Sequence, residues 1–359
     1  MRLLYVSRSS VGHDRRFTAA WESLGFEVAA IVIGRSFEPE GAGHRASRAE
    51  LTVRIADFAP DIVQVGPVTD PAWDVVQAWD GPLIATSWGF DLMAEVDSNA
   101  DLRERARAVL ARADLLFVDN DGPRKRAESL GMDPLRIAQF PWGLDPTWFR
   151  QRERTPLSDR NDVLFLCTRR HEDIYRVGDV VEAFLGAASD HGNIRLSLAG
   201  SGNQTSQLKA RVDASGLQGR IVFVGEMDNS ALPVAYRAAD AYITSSSVDG
   251  TSVSLLEAMA SGTPVLASRI EGNAEWVSAN TGFGFEAGAV TQLETLIREF
   301  ASMAPEFVQD VRRRANNALE LVRQQADWNT SVQKFPDYVR AAVRHWTNEG
   351  SAAAGSAGK

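Results

Sequence analysis

The sequence predicts an α/β chain of two doubly wound, Rossmann-like units, and three observations lead there. Short β-branched runs alternate with amphipathic helical runs along most of the chain, the pattern of parallel sheets covered on both faces. The rhythm breaks at "LDPTWFRQRERTPLSDRND" (144–162), a stretch rich in charge and containing Pro, and then restarts. With 359 residues, the chain is long enough for two domains with separate cores.

Taken in order, "RLLYVS", "EVAAIVI", "DIVQVG", "PLIATSW", "LLFVD" and "IAQFPW" read as buried strands of a first unit, residues 1–150. "DVLFLCT", "IRLSLAG", "RIVFVG", "DAYITSS" and "TPVLAS" read as strands of a second, residues 151–325. The stretch from about 288 to 346 reads as mostly helical, with a closing helical segment over 326–347. The tail 348–359, "NEGSAAAGSAGK", has no periodicity and is expected to be disordered or a leftover of expression. Ligands of open α/β sheets bind beyond the carboxyl ends of the strands. Two such units are therefore expected to face each other across a ligand cleft, with the informative residues just after strands.

Composition removes several function classes. Hydrophobic residues make up 44% and charged residues 24%, as in ordinary globular proteins. A net charge of −9, with acidic residues in excess in both halves, argues against a nucleic-acid partner, which calls for a concentrated basic field. A single cysteine, Cys167, excludes a disulfide framework and a Cys-rich zinc site and fits a cytoplasmic setting. No run approaches the roughly 20 apolar residues of a membrane span. The arginines of "RERARAVLARADLL" (103–116) would allow peripheral contact with anionic lipid, but a solvated helix face is the preferred reading. Nothing in the sequence points to an oligomeric state.

The stretch that carries chemistry is "DGTSVSLLEAMASGTPVLAS" (249–268). It follows the strand "DAYITSS", turns at Gly250, and enters a helix that ends at Gly262. Thr251 or Ser252 is placed to cap that helix. The helix start, near Thr251–Val253, leaves backbone N–H groups pointing outward and suits a phosphate or diphosphate. Glu257 lies one to two turns in, and helical side chains lean toward the N-terminus, so its carboxylate can reach back to hydroxyls attached to that phosphate. Asp249, before the turn, can accept from a second polyol, and a sugar on each side of a diphosphate is a nucleotide sugar. A plainer reading remains open on these grounds: Asp249 begins the turn, and Glu257 is a solvated residue complementing the helix dipole.

The same stretch resembles the signature of the retaining glycosyltransferases of family 4 (group 1), which have the GT-B fold. Their pattern is an acidic residue, seven intervening positions and a glutamate in "EAMA.G.PV.AS"; here Asp249 stands where most members have Glu. The resemblance implies the following roles. In "LFLCTRRHEDIYRVGDVVEAF" (164–184), Arg169 or Arg170 pairs with the diphosphate, and Tyr175 occupies the place of a frequent lysine, whose charge is missing or supplied by Arg176. "LSLAGSGNQTSQLKA" (196–210) supplies Gly200; read alone its Gly-x-Gly is weak evidence for a dinucleotide, since Thr205 stands where a third glycine belongs. The backbone around Glu226 and Met227 meets the base, and "EGNAEWV" (271–277) completes the wall. Gly250, Thr251, Ser252 and Val253 cradle the diphosphate, Glu257 binds the ribose and Asp249 the donor sugar.

In the first half the resemblance is looser. "SSVGHDRRFTAAWESLGFEV" contributes Gly12 and His13, the latter either touching acceptor or diphosphate or capping its helix. In "TSWGFDLM" (86–93) Trp88 stands where other members have a histidine near the transferred sugar. Asp91 is then expected to orient sugar or acceptor hydroxyls, with Trp88 a stacking face or plain core. Trp142 and Gly143 in "FPWGLDPTWF" fall near the cleft floor, and "DWNTSVQKFPDYVRAAV" resembles a C-terminal helix that crosses back to the first domain.

Other signals are set aside. "VDNDG" (118–122) contains Asp-x-Asp, but Asp119 ends a strand and Asp121 is placed to cap the next helix. His13, His44, His171, His191 and His345 show no ligand spacing, and no metal or cofactor is expected. The resulting expectation is transfer of a sugar from a nucleoside diphosphate sugar, UDP ahead of GDP, to an acceptor hydroxyl of a glycan, glycolipid precursor or small molecule. A nucleotide-sugar epimerase on the same fold and a non-catalytic nucleotide-sugar-binding protein are the alternatives.

Overall fold

The computed structural model describes residues 1–8, 12–33, 46–148 and 162–356. The chain divides into two units, Met1–Pro141 with Thr330–Lys359, and Trp142–Asn329. The division falls a few residues before the expected 150/151 boundary. Gly143 explains its position. At φ +35° a Cβ on this residue would lie 2.7 Å from the Ala326 carbonyl oxygen, so only glycine lets the two backbones meet. Leu144 N–H donates to Ala326 at 2.6 Å and Trp328 N–H donates to Leu144 at 3.0 Å. Most of the expected linker, 149–161, lies outside the described residues.

The first unit holds six strands: β1 Arg2–Ser7, β2 Glu27–Val32, β3 Ile62–Gly66, β4 Leu83–Thr86, β5 Leu115–Val118 and β6 Ile137–Gln139. They form one parallel sheet in the order β2-β1-β3-β4-β5-β6. Because strand side chains alternate between faces, Leu116 joins an aliphatic layer with Val6, Val63, Val65, Leu51 and Val109. Its neighbour Phe117 points the other way. There it meets Phe335 at a ring separation of 5.7 Å, and Phe335 also packs against Phe17 (5.7 Å) and Trp21 (4.7 Å). Phe335 opens the helix Phe335–Ser356 and is fully buried, so this aromatic layer ties the C-terminal helix to the first unit's sheet. That helix continues through most of the 348–359 tail expected to be disordered; Ala- and Ser-rich sequence without apolar periodicity extends a helix already nucleated by packing.

The second unit holds β7 Val163–Cys167, β8 Ile194–Ala199, β9 Ile221–Gly225, β10 Ala241–Thr244, β11 Val265–Ser268 and β12 Phe283–Phe285. All neighbours are parallel, in the order β12-β11-β10-β7-β8-β9. The edge strand β12 was not among the sequence-predicted strands, because "FGF" is too short and too glycine-rich to show a period. Alternation again splits two layers: Phe165, Ala241, Ile243 and Leu266 on one face, Leu166, Tyr242, Val265 and Ala267 on the other. The strand order reverses between β7 and β10, which makes the carboxyl ends of those two strands the topological switch point.

Candidate active site

The loops after β7 and β10 meet at this switch point. Arg169, two residues past β7, is 9% exposed, and its guanidinium is shared among three groups of the β10 loop and the helix that follows. Nη2 donates to Asp249 Oδ2 at 2.6 Å, and Nη1 donates to Ser252 Oγ at 2.8 Å and to Ser254 Oγ at 2.9 Å. Its flat face rests on Tyr175, 4.1 Å from the ring centroid. Tyr175, in the place of the expected lysine, thus supplies a stacking surface instead of a charge. Arg176 does not replace that charge freely, since it pairs with Asp179 at 2.6 Å. Burial works against the Arg169 charge, but Asp249 and the surrounding oxygens outweigh it and hold the guanidinium above its ordinary pKa. Burial likewise raises the Asp249 carboxyl above the usual carboxylate range, opposed by Arg169, the Gly250 N–H and the Ser252 hydroxyl.

The helix Val253–Ala260 begins directly after this pair. Ser252 occupies its N-cap position but makes no side-chain cap hydrogen bond, contrary to the expected capping by Thr251 or Ser252. Its hydroxyl is turned to Arg169, while Thr251 is 4% exposed. The N-cap side chain therefore does not claim the first helix N–H groups, which suits an external anion. The Gly250 turn is fixed from behind: a Cβ on Gly272 would overlap the Gly250 carbonyl and lie 2.8 Å from the Asp249 carbonyl.

Glu257 is half-buried in the same helix and accepts from Tyr236 Oη at 2.9 Å. Sequence reasoning did not find Tyr236, Tyr242, Thr168 and Ser254, which lie behind the two carboxylates. Tyr236 Oη lies 2.9 Å from Thr168 Oγ1, and Tyr242 Oη donates to Ser254 Oγ at 2.8 Å. One signal was available: a tyrosine in a wholly buried strand such as "AYIT" must place its hydroxyl against a polar partner.

The other residues expected on the donor side lie in the loops after β8 and β9, next to the β7 loop. Gly200, at φ +124°, would bring a Cβ to 2.7 Å from the Arg169 carbonyl, and a Cβ on Gly202 would overlap the His171 carbonyl. The Gly-x-Gly thus serves close packing of two loops. Glu226 is exposed and accepts from Ser201 Oγ at 2.5 Å, with Met227 half-buried beside it. Arg170 points to Glu172, 2.8 Å away, and is half exposed, so it does not share the Arg169 cluster.

In the first unit, Gly12 opens the helix Gly12–Ser23 and His13 stacks on Trp88, with ring centroids 5.6 Å apart. Phe17 meets Trp88 edge-on at 5.7 Å, so Trp88 is half core and half surface. Asp91 departs from expectation. It is fully buried and accepts from Val68 N–H at 2.8 Å and Ser87 Oγ at 2.7 Å. Burial raises its pKa to about 6. A sealed carboxyl with both oxygens engaged positions the loops after β3 and β4 and does not itself meet a ligand hydroxyl. Trp142 belongs to the second unit and is 3% exposed, which makes it core and not an open floor. Asn120, not Asp121, caps the helix Asp121–Ser129. Among the described residues no cluster of metal-ligating side chains occurs, and His44 lies outside them. The arginines of the helix Ala100–Arg112 pair with Asp97, Asp101, Asp70 and Glu104, leaving no basic face of the kind a lipid surface attracts. No described helix is long and apolar enough to cross a membrane.

Fold and site together define a chain of two Rossmann-type units, the second with an uncapped helix start, an arginine and two carboxylates at its switch point. Residues 149–318 match the family model for glycosyl transferases group 1, and the fold is that of the GT-B glycosyltransferases. The chain is 37% identical to a lipopolysaccharide core biosynthesis mannosyltransferase, LpsB, of Rhizobium meliloti over 31% of this chain and 30% of that protein. It is 24% identical to the glycogen synthase of Mycobacterium tuberculosis over 84% of this chain and 75% of that one. The matched part spans about a third of the length of the former. Among solved structures, Anabaena HepE in complex with UDP and glucose superposes with a TM-score of 0.75 at 17% identity, covering 95% of this chain and 99% of that one. Sucrose-phosphate synthase from Thermosynechococcus elongatus gives 0.74 at 17% identity, over 95% and 98%.

Proposed function

We propose that the protein is a retaining, metal-independent glycosyltransferase that takes its sugar from a nucleoside diphosphate sugar, UDP ahead of GDP, and delivers it to an acceptor hydroxyl. The observation that carries the reading is Arg169 gathered with Asp249 at the uncapped start of the helix that bears Glu257. Support for UDP comes from HepE, a structural neighbour held with UDP and glucose.

In this reading the helix start and Arg169 take up the diphosphate, which competes with Asp249 for the guanidinium and shares the Ser252 and Ser254 hydroxyls. Glu257 accepts from the ribose and Asp249 from the donor sugar. An Asp249 carboxylate ion-paired at 2.6 Å and hydrogen-bonded by Gly250 and Ser252 is a poor nucleophile, which favours transfer on a single face of the sugar. The bond from the anomeric carbon to the phosphate oxygen breaks, the bond to the acceptor oxygen forms on the same side, and the acceptor proton passes to the departing phosphate. Stabilising that phosphate by preorganised charge is the main contribution of the protein to the rate.

The test combines melting temperature in the presence of UDP or GDP with release of nucleoside diphosphate from donor sugars across an acceptor panel. Stabilisation by UDP with acceptor-dependent release is expected. Donor turnover to an epimer without acceptor, or donor binding with no turnover on any acceptor, would replace this reading with an epimerase or a binding protein. Glu257→Gln is expected to weaken UDP binding by about 1–3 kcal/mol through loss of a charged hydrogen bond.

A further inference from the structure

We infer that Tyr236 and Tyr242 are positioning residues that fix the two carboxylates of this site from beneath; the inference deepens the donor-site reading above and rests on it for its binding consequences. Both rings are fully buried, one on the helix Leu232–Ala238 and one on β10. Neither is reached by solvent, so each hydroxyl must be satisfied inside the protein, and the direction of each proton can be followed.

Tyr236 donates its single proton to Glu257 Oε2 at 2.9 Å. It can then only accept at its oxygen, which makes Thr168 the donor in the 2.9 Å contact between them. This first chain, Thr168 to Tyr236 to Glu257, ends on a carboxylate. The second starts at Tyr242, which donates to Ser254 Oγ at 2.8 Å. Ser254 also accepts from Arg169 and lies 3.1 Å from Ser252 Oγ, so its own proton is directed to Ser252. Both serines accept from Arg169, which donates to Asp249 at 2.6 Å. The Tyr236 proton thus runs to Glu257, and the Tyr242 proton to the serine that shares Arg169 with Asp249. The two chains meet through the Tyr236 and Tyr242 rings, edge-on at 5.5 Å, a contact that a Phe keeps. The polar contact between them, Thr168 to Tyr242 at 3.5 Å, is too long to carry much energy. Glu257 and Asp249 are therefore held by separate donor lines rooted in the buried sheet layer, and each can be loosened without the other.

The experiment is a double-mutant cycle on the full chain: wild type, Tyr236→Phe, Glu257→Gln and the pair, with UDP affinity measured by calorimetry and folding checked by melting. Tyr236→Phe is expected to weaken UDP binding by about fivefold to thirtyfold, part of the worth of one hydrogen bond to a charged group, since the ribose contact itself is kept. In the Glu257→Gln background the same change is expected to add little, because its target is gone. Thr168→Val, one step back along the chain, gives a smaller loss of the same kind and serves if Tyr236→Phe fails to fold. Tyr242→Phe leaves the ribose-side effect absent while raising KM for the intact donor sugar. Fully additive losses, or unchanged affinity in Tyr236→Phe, overturn the proposal. Absence of UDP and GDP binding in the wild type overturns the donor-site reading instead. The positioning role is then decided without ligand, by NMR of the tyrosine hydroxyl protons. A protected Tyr236 hydroxyl resonance that shifts on Glu257→Gln upholds it, and one that is absent or unmoved refutes it.

Discussion

Replacing Asp249 by Asn tests the centre of the site through stability alone. The Arg169–Asp249 pair is 2.6 Å apart with side chains 10% and 18% exposed. Removing one partner of a well-buried pair costs about 3–5 kcal/mol, because the other charge is left in a poor solvent. Here Arg169 keeps two serine hydroxyls and the Tyr175 face, so a loss of about 2–4 kcal/mol is the better figure. For a unit the size of Trp142–Asn329, each kcal/mol moves the midpoint by about 2–4 °C, which gives a fall of roughly 4–16 °C. Calorimetric melting of Asp249→Asn, Arg169→Met and the double variant reads the coupling. The double variant is expected to recover at least ~1 kcal/mol over the sum of the singles. Free UDP, which carries no sugar, is expected to bind Asp249→Asn at least as well as the wild type, since a competing anion has been removed from Arg169. Singles within about 0.5 kcal/mol of wild type and strictly additive would refute the assignment of this pair as a buried, coupled unit.

Three further outcomes follow from the geometry. Gly272→Ala forces the Gly250 carbonyl away from its seat, so both melting temperature and UDP affinity are expected to fall; preservation of either by calorimetry would mean that the turn relaxes freely. Asp91, with its pKa raised from 3.8 to about 6 mainly by burial, binds a proton more tightly folded than unfolded. Its contribution is complete below about pH 4 and is lost as the pH rises through 6. Urea unfolding between pH 4.5 and 7.5 is expected to show a stability decline across that window which flattens in Asp91→Asn. Phe335→Ala empties the aromatic layer shared with Phe17, Trp21 and Phe117 and is expected to cost about 3–5 kcal/mol by chemical denaturation.

Periodicity made eleven of the twelve strands among the described residues legible, because a strand buried on both faces must be apolar at nearly every position and the chain repeats that demand. The twelfth, Phe283–Phe285, escapes because three residues with a central glycine carry no period. In the candidate site, the spacing of Asp249 and Glu257 around a turn and a helix start singled out the loop that the structure brings to the switch point beside Arg169. Nearby charges were misjudged where only distant partners decide them. Asp91 looked like a ligand-facing carboxylate, and only the approach of Val68 and Ser87 shows it sealed.

What the sequence by itself determined is the architecture and the resemblance of residues 149–318 to the family model for group 1 glycosyltransferases. These depend on local order: which residue types follow one another, and at what interval. Tertiary structure alone decided which groups meet. Residues 169, 236, 242 and 249 lie on four separate segments, and folding places their polar atoms within hydrogen-bond reach of one another or of a shared serine or glutamate. Such contacts carry no trace in local sequence, because each is set by the strand order that puts β7 beside β10. Asp249, a methylene shorter than the glutamate usual at its position, reads as a weakness in the sequence. In the fold it closes on Arg169 at 2.6 Å.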